Sequence, residues 1–342
     1  MKIVCPHCSK AYRLQKERLP KKRHFAIPCP NCKEPISVDL NFLDGEGSIE
    51  AASVSSKGEE VTGEALKALI LKSVRDLPPM PQTILKAQEI MRDANYSFEA
   101  LSKVLETDQA LAAKVLKMAN SPFYGLMGKV SSLQHASVVL GQKTLEELIT
   151  MAGASDLLGG RLEGYELDSG DLWVHSMGVA FASKLIAIRK QPALENDAFA
   201  AGLIHDAGKL ALDPYILERK QAFKAVTEDS GESFTVAEKR ILGFDHAELA
   251  LELCKHWNVP EPLRIAIGCH HNPESSDGNI LAYIVHLADA VAMMSGMGAG
   301  LDGMQYSLSE QALDTLGFTE DEINEIMAEA VQSVQGLTEE TQ

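Results

Sequence analysis

The chain has 342 residues, 45% of them hydrophobic and 23% charged, which is length enough for two or three domains and one large core. Its formal net charge of −16 argues against general binding to nucleic-acid phosphate. No apolar run approaches the roughly 20 residues of a membrane span, and Met1-Lys2-Ile3-Val4-Cys5 is no signal peptide, so a cytoplasmic protein without a membrane partner is expected.

The first 40 residues read as a unit of their own. Cys5-Pro6-His7-Cys8 and Cys29-Pro30-Asn31-Cys32 make two C-x-x-C knuckles whose spacing suits four thiolates around one zinc, with short flanking strands. Four of the six cysteines used this way also favour a reducing compartment over disulfides. A segment this small buries too little apolar surface to fold alone, so a bound metal must supply its stability. This unit carries nine Lys/Arg against three Asp/Glu, including Arg18, Lys21, Lys22 and Arg23 between the knuckles. A solvated basic loop is the expected reading, because the acidic remainder repels DNA and only Tyr12 and Phe25 offer stacking. Residues 41–63 are rich in Gly, Ser and Glu without periodicity and read as a flexible linker.

From residue 64 to 342 the pattern is helical. Leu66, Leu69, Ile70 and Val74 recur at helical spacing up to Leu77-Pro78-Pro79-Met80-Pro81. Further periodic runs fall near 82–93, 97–105, 108–119, 132–139 and 143–157, with Asp108 placed to cap the third. A Gly-rich break at 159–170 follows. Helices are then expected near 171–190, 195–204, 214–227, 233–242, 246–257, 260–271 and 279–295, with a C-terminal pair. Strand signals are nearly absent past residue 40, so the fold class is an all-α body with a small β zinc ribbon.

Chemistry concentrates around Leu203 to Lys209, L-I-H-D-A-G-K, where a small-residue run delivers His205-Asp206 into an apolar setting. Adjacent residues on a helix point about 100° apart, so two ions could share the carboxylate while the imidazole holds one of them. Lys209 could meet an anionic oxygen. Asp171 and His175 lie four apart and face one side of a helix. His246, the doublet His270-His271, and Asp289 follow. Mixed N/O donors suit Fe, Mn, Zn or Ni, one or two ions in all. His135, His256 and His286 are read as packing or surface residues, and Cys254 and Cys269 as small apolar groups.

The order His, His-Asp, His, His-His, Asp resembles the metal site of the HD-domain phosphohydrolase superfamily, extended as in its HD-GYP branch. The segments L-P-P-M-P (77–81), D-Q-A-L-A-A-K-V-L-K-M-A-N-S-P-F-Y-G (108–125), S-S-L-Q-H-A-S-V-V-L-G (131–141), A-G-L-I-H-D-A-G-K-L (201–210), G-F-D-H-A-E (243–248) and L-C-K-H-W-N-V-P (253–260) are similar to the HDOD domain. The resemblance spans about 70–295. Residues 1–40 resemble a bacterial N-terminal zinc ribbon. The HDOD resemblance implies an all-helical HD-type bundle used as an output module in bacterial signalling, with a protein partner or nucleotide ligand. The HD resemblance gives His175, His205, Asp206 and Asp289 as core metal positions. His246, His270, His271 and Asp171 match the additional ligands of the HD-GYP branch. The alternative is a metal-dependent phosphohydrolase of phosphomonoesters or phosphodiesters, in which Asp206 bridges the ions and Lys209 steadies phosphate oxygens. After His270-His271 the chain reads N-P-E-S-S-D-G-N, without G-Y-P, so cyclic-di-GMP hydrolysis is not expected. A nucleic-acid-binding regulator acting through the ribbon is the weakest reading.

Overall fold

A computed structural model of the protein describes residues 62–73, 96–105, 107–126, 128–229, 231–297 and 308–338, four short N-terminal strands, and a few positions between 86 and 91 and at 300. Its Cα arrangement divides the chain into two units, Met1–Glu60 and Val61–Gln342. In the first, β1 (Lys2–Val4) pairs antiparallel with β2 (Ala11–Arg13), and β3 (His24–Pro28) with β4 (Pro35–Asp39). Cys5, Cys8, Cys29 and Cys32 lie outside the described residues, as do most of the 41–63 segment, the Leu77–Pro81 motif and much of the expected 82–93 helix.

The second unit is helical. It begins with α1 (Gly63–Ser73), α2 (Phe98–Leu105), α3 (Gln109–Ala119), α4 (Leu133–Leu140) and α5 (Gln142–Leu158). Asp108 caps α3 by accepting the Leu111 N–H at 3.0 Å, as its position predicts. Asn120 closes the same helix by bonding Leu116 O and both the N–H and C=O of Val130, which tethers the following loop. Asn120 thus terminates the helix.

Next come α6 (Asp171–Lys190), α7 (Glu195–Ile204), α8 (Ala207–Glu218) and the short α9 (Lys220–Lys224), which passes into a π-turn over Ala225–Asp229. The sequence pattern predicts one helix over 214–227. The chain instead runs helical from Ala207 straight through Pro214 and breaks at Arg219. Then follow α10 (Phe234–Leu242), α11 (His246–His256), α12 (Glu261–Gly268), α13 (Ile280–Met294), α14 (Glu310–Leu316) and α15 (Glu320–Thr338).

Helix α6 is the axis of the bundle, packing against α7, α13 and α15. Among the described residues only this helix combines the length and apolarity of a membrane span, at a mean hydropathy of 1.2, and 67% of that stretch is buried inside the bundle. Two glycines let backbones meet where the chemistry is assembled. A Cβ at Gly202 of α7 would sit 2.8 Å from Val179 O of α6, and one at Gly208 of α8 only 1.9 Å from His246 O of α11. Any larger residue at 208 would push α11, and with it His246, away from Asp206.

Candidate metal centre

His205 and Asp206 occupy the turn between α7 and α8, so the pair is delivered at a helix end rather than within one. Around it converge His175 from the first turns of α6, His246 at the start of α11, His270-His271 just past α12, and Asp289 from α13. All are buried except half-buried His271; Asp206 is 1% exposed, and His205, His246 and His270 are 0%.

The Asp206 carboxylate faces two ways. Its Oδ2 lies 3.5 Å from His175 Nε2 and 3.3 Å from His205 Nε2. Its Oδ1 lies 3.2 Å from His246 Nε2 and 3.8 Å from His270 Nε2. Asp289 repeats the pattern, with Oδ1 at 3.2 Å from His175 Nε2 and 3.8 Å from His205 Nε2, and Oδ2 at 4.0 Å from His271 Nδ1. Within each of the sets Asp206/His246/His270/His271, His175/His205/Asp206 and His205/His270/Asp289, the donor atoms all lie within 4.8 Å of one another. Two ligands bound at right angles to one ion at about 2.1 Å stand roughly 3 Å apart. The closer donor pairs match that spacing.

The donor atoms also lack other partners. His205 Nε2 and His270 Nε2 are buried without a hydrogen bond. Each such atom costs about 1–3 kcal/mol unless something accepts it. Their ring partners point the right way: His205 Nδ1 bonds Gly202 O at 2.8 Å, His270 Nδ1 bonds Ile267 O at 2.6 Å, and His175 Nδ1 bonds Met297 O at 3.0 Å. A carbonyl only accepts, so each Nδ1 carries the proton. On His270, where burial opposes a second proton, this leaves Nε2 as a bare lone pair aimed into the cluster, and His205 aims its Nε2 the same way. The residues present therefore fit one or two divalent ions.

Charge tells the same story. Burial works against an ionised Asp206, but His205 and Lys209 outweigh it and hold the carboxyl well below its usual range. Burial likewise opposes ionised Asp289, and the His175 hydrogen bond and His205 reverse it, so this carboxyl too is held low. Burial resists protonation of His246, yet Glu238 and Asp206 raise it to about 10. His270 is pushed down to about 3 by burial and by His205, and His271 is lowered by burial and by His270.

Two expected site residues find other roles. Lys209 is buried with Nζ 2.7 Å from Asp206 Oδ2 and 5.6 Å from the Tyr165 ring centroid, so the anion it meets is the cluster's own carboxylate. Asp171 is absent from the converging sets of donors. Its Oδ2 accepts the Asp168 N–H at 2.8 Å, folding the chain back at the start of α6 while His175, one turn on, enters the core.

Two residues near the cluster escaped the sequence reading. Fully buried Glu238 bonds His246 Nδ1 at 2.8 Å, accepts the His246 backbone N–H at 3.0 Å, and accepts the Tyr165 hydroxyl at 2.6 Å. His286, expected to be a packing or surface residue, accepts the Ser309 N–H at Nε2 (2.9 Å) and donates Nδ1–H to His270 O (2.7 Å), bracing the doublet. Its spacing, three residues before Asp289 on α13, was the available signal.

Residues 77–273 match the HDOD domain, and residues 1–37 match a zinc-ribbon domain. The chain belongs to the HDOD family. Among solved structures it resembles an HDOD domain protein of unknown function from Geobacter sulfurreducens, at 25% identity and TM-score 0.64 over 80% of this chain and 98% of that one. It also resembles a protein from Marinobacter aquaeolei VT8 provisionally called a signal transduction protein, at 26% identity and TM-score 0.64, over 79% of this chain and 60% of that one. The fold is shared with a provisionally named phosphohydrolase from Shewanella amazonensis SB2B, at 24% identity and TM-score 0.62 over 80% and 97% of the two chains. A curated relative, an uncharacterised protein of Treponema pallidum (strain Nichols), is 24% identical over 208 residues; the match takes in 60% of this chain but only 40% of that relative's length.

Proposed function

We propose that this HDOD protein is a bacterial signalling output module whose HD cluster holds two divalent ions from the set Fe, Mn, Zn and Ni, with Asp206 shared between them. The observation that carries the metal is the group of partnerless donor atoms at the centre of the cluster. Asp206 and Asp289, both buried, also turn carboxylate oxygens toward the imidazoles, the mixed N/O donor set that a divalent ion takes. The burial itself favours binding and regulation over turnover. His271, the most exposed of these donors, has a side chain only 12% exposed. A signalling protein or a nucleotide is the partner chemistry this reading takes, in the cytoplasm, without nucleic acid or membrane. Elemental analysis of the purified chain should find about two ions in the helical body and about one zinc bound by Cys5, Cys8, Cys29 and Cys32. Cys29→Ser should release that zinc alone; loss of the body's helical circular dichroism would show that the ribbon is part of the same core.

The second reading is a metal-dependent phosphohydrolase, favoured by the buried Lys209 beside Asp206. Bound ions would supply Lewis acidity there, while Asp206 and Lys209 would hold the donor set and its charge in place. A phosphomonoester and phosphodiester panel with added Mn²⁺ or Fe²⁺ separates the two. The output-module reading expects no rate, on cyclic-di-GMP or any other member, above a His205→Ala, Asp206→Ala control. A rate well above that control makes the protein an enzyme.

A further inference from the structure

The Gly-rich break at 159–170, outside the expected helices, carries a residue that belongs to the metal centre. Leu162 and Leu167 pair across it as an isolated β-bridge, and Asp213 Oδ1 of α8 accepts the Gly164 N–H at 2.7 Å and the Tyr165 N–H at 3.3 Å. This clamp drives Tyr165 fully into the core. There its ring meets Phe234 at 5.4 Å and the His246 ring edge-on at 6.4 Å, and its hydroxyl reaches Glu238. Phe234 and Glu238 lie four apart on α10, so one face of that helix presents an apolar ring and a carboxylate to the same tyrosine.

A carboxylate buried this deeply costs several kcal/mol unless its oxygens are filled. Here Oε1 takes the Tyr165 hydroxyl, and Oε2 takes both the backbone N–H and Nδ1 of His246. With Nδ1 committed to Glu238, the only nitrogen His246 can offer the cluster is Nε2, which lies 3.2 Å from Asp206 Oδ1 and 2.8 Å from His271 Nε2. The other three imidazoles with a braced Nδ1 lean on backbone carbonyls, so none of them carries a side-chain carboxylate behind it.

We propose that Glu238, held by Tyr165, is a positioning residue that fixes His246 as a ligand for one ion of the pair, the one on the His246, His270 and His271 side. It rests on the metal-centre reading above and names a mechanism for only half of that site. Without Glu238 the imidazole loses both the partner that sets its ring orientation and the negative charge that strengthens its donation. Tyr165 acts one step further back, fixing the carboxylate rather than the ring.

The test is a Mn²⁺ titration of the full chain with zinc in its ribbon, followed by electron paramagnetic resonance of the free ion. Wild-type protein should show two binding events. Glu238→Gln should weaken one of them about 10- to 100-fold and leave the other unchanged; Tyr165→Phe should weaken the same one by a few-fold. His246→Ala should abolish that event, and the Glu238→Gln, His246→Ala double variant should match His246→Ala alone, since both act on one ligand. A general loss of packing would lower both affinities in parallel and add to the His246→Ala effect, and that outcome overturns the proposal. So does a Glu238→Gln protein with both affinities unaltered. Wild-type protein that takes up no ion sinks the metal-centre reading itself, which the wild-type titration shows before any variant is compared.

Discussion

The two halves of the cluster are built by different means. On the His175 and His205 side, each Nδ1 leans on a backbone carbonyl, Met297 O for His175 and Gly202 O, three residues upstream, for His205. On the other side, His270 has the same local brace from Ile267 O, but His246 depends on Glu238 and, through it, on a tyrosine 73 residues earlier. A helix end supplies a carbonyl automatically, because its last C=O groups have no partner within the helix. A buried carboxylate must instead be assembled by the fold. His205 and His270 are therefore braced by the ends of their own helices, His175 reaches across the fold to the Met297 carbonyl, and His246 alone rests on a side chain, so single substitutions remote from the donors should disable that one ligand.

Asp206 is where the halves meet, and breaking it should erase the comparison altogether. Asp206→Ala removes the carboxylate that lies nearest both sets of imidazoles and leaves Lys209 without its 2.7 Å partner. An unpaired buried charge costs about 3–5 kcal/mol. The expected outcome is loss of both ions and a clear fall in melting temperature. Asp206→Asn keeps the shape and should lose the ions with a smaller thermal penalty. Retention of even one ion at wild-type affinity in Asp206→Ala would show that the two halves do not share this residue.

Within the second half the imidazoles also differ in their protons, His246 against His270, which a pH series on metal-free protein should expose. His246 is raised to about 10, so between its unfolded value of 6.5 and pH 10 the native state binds the extra proton. Stability then falls as pH rises through that window. His270 is lowered to about 3, so between pH 6.5 and 3 the unfolded state binds the extra proton, and stability falls as pH drops. Each slope is on the order of 1.4 kcal/mol per pH unit for one group. Metal-free protein should be most stable near the middle of the range. Ion binding takes the place of the His246 proton at Nε2, so the alkaline slope should flatten in loaded protein. An alkaline slope that survives loading would mean His246 is not a ligand. Glu238→Gln should flatten it even without metal, since Glu238 is the largest influence holding the proton on.

How much of this was legible in the sequence follows from the same contrast. His175, His205, Asp206, His246, His270, His271 and Asp289 could be picked out because donor type and order survive without coordinates, and the structure brings all seven together. Glu238 could not. In F-T-V-A-E-K-R-I-L it looks like one more charge on a solvated helix face, and only Tyr165, from a stretch that reads as a loop, reveals that it is buried. The helix boundaries were legible where caps and periodicity agree, as at Asp108 and α3. They were not legible at Pro214, where the punctuation expected of proline was overridden by packing of α8 against α11. Asp171 was misplaced for a related reason. The four-residue spacing to His175 puts both on one helix face, but residue 171 is the first of its helix, and its carboxylate turns back to the Asp168 N–H ahead of that helix.

That placement gives the smallest effect and the sharpest limit on the comparison. If Asp171 only folds back onto the Asp168 N–H, then Asp171→Ala removes one exposed hydrogen bond and one favourable charge at the N-terminus of α6. Both contributions are small: a helix-start carboxylate is worth about 0.5–1 kcal/mol, and salt weakens the charge component. Melting temperature should drop slightly, while both ions bind as in wild type. Because His175 sits one turn further in and is held by Met297 O, the small fraying expected at residue 171 should stop short of it. Asp171→Asn, which keeps an acceptor oxygen, should recover most of the loss. An Asp171→Ala protein that binds one ion fewer would put this carboxylate back among the donors, and would make the His175 half as dependent on a remote acidic residue as the His246 half is on Glu238.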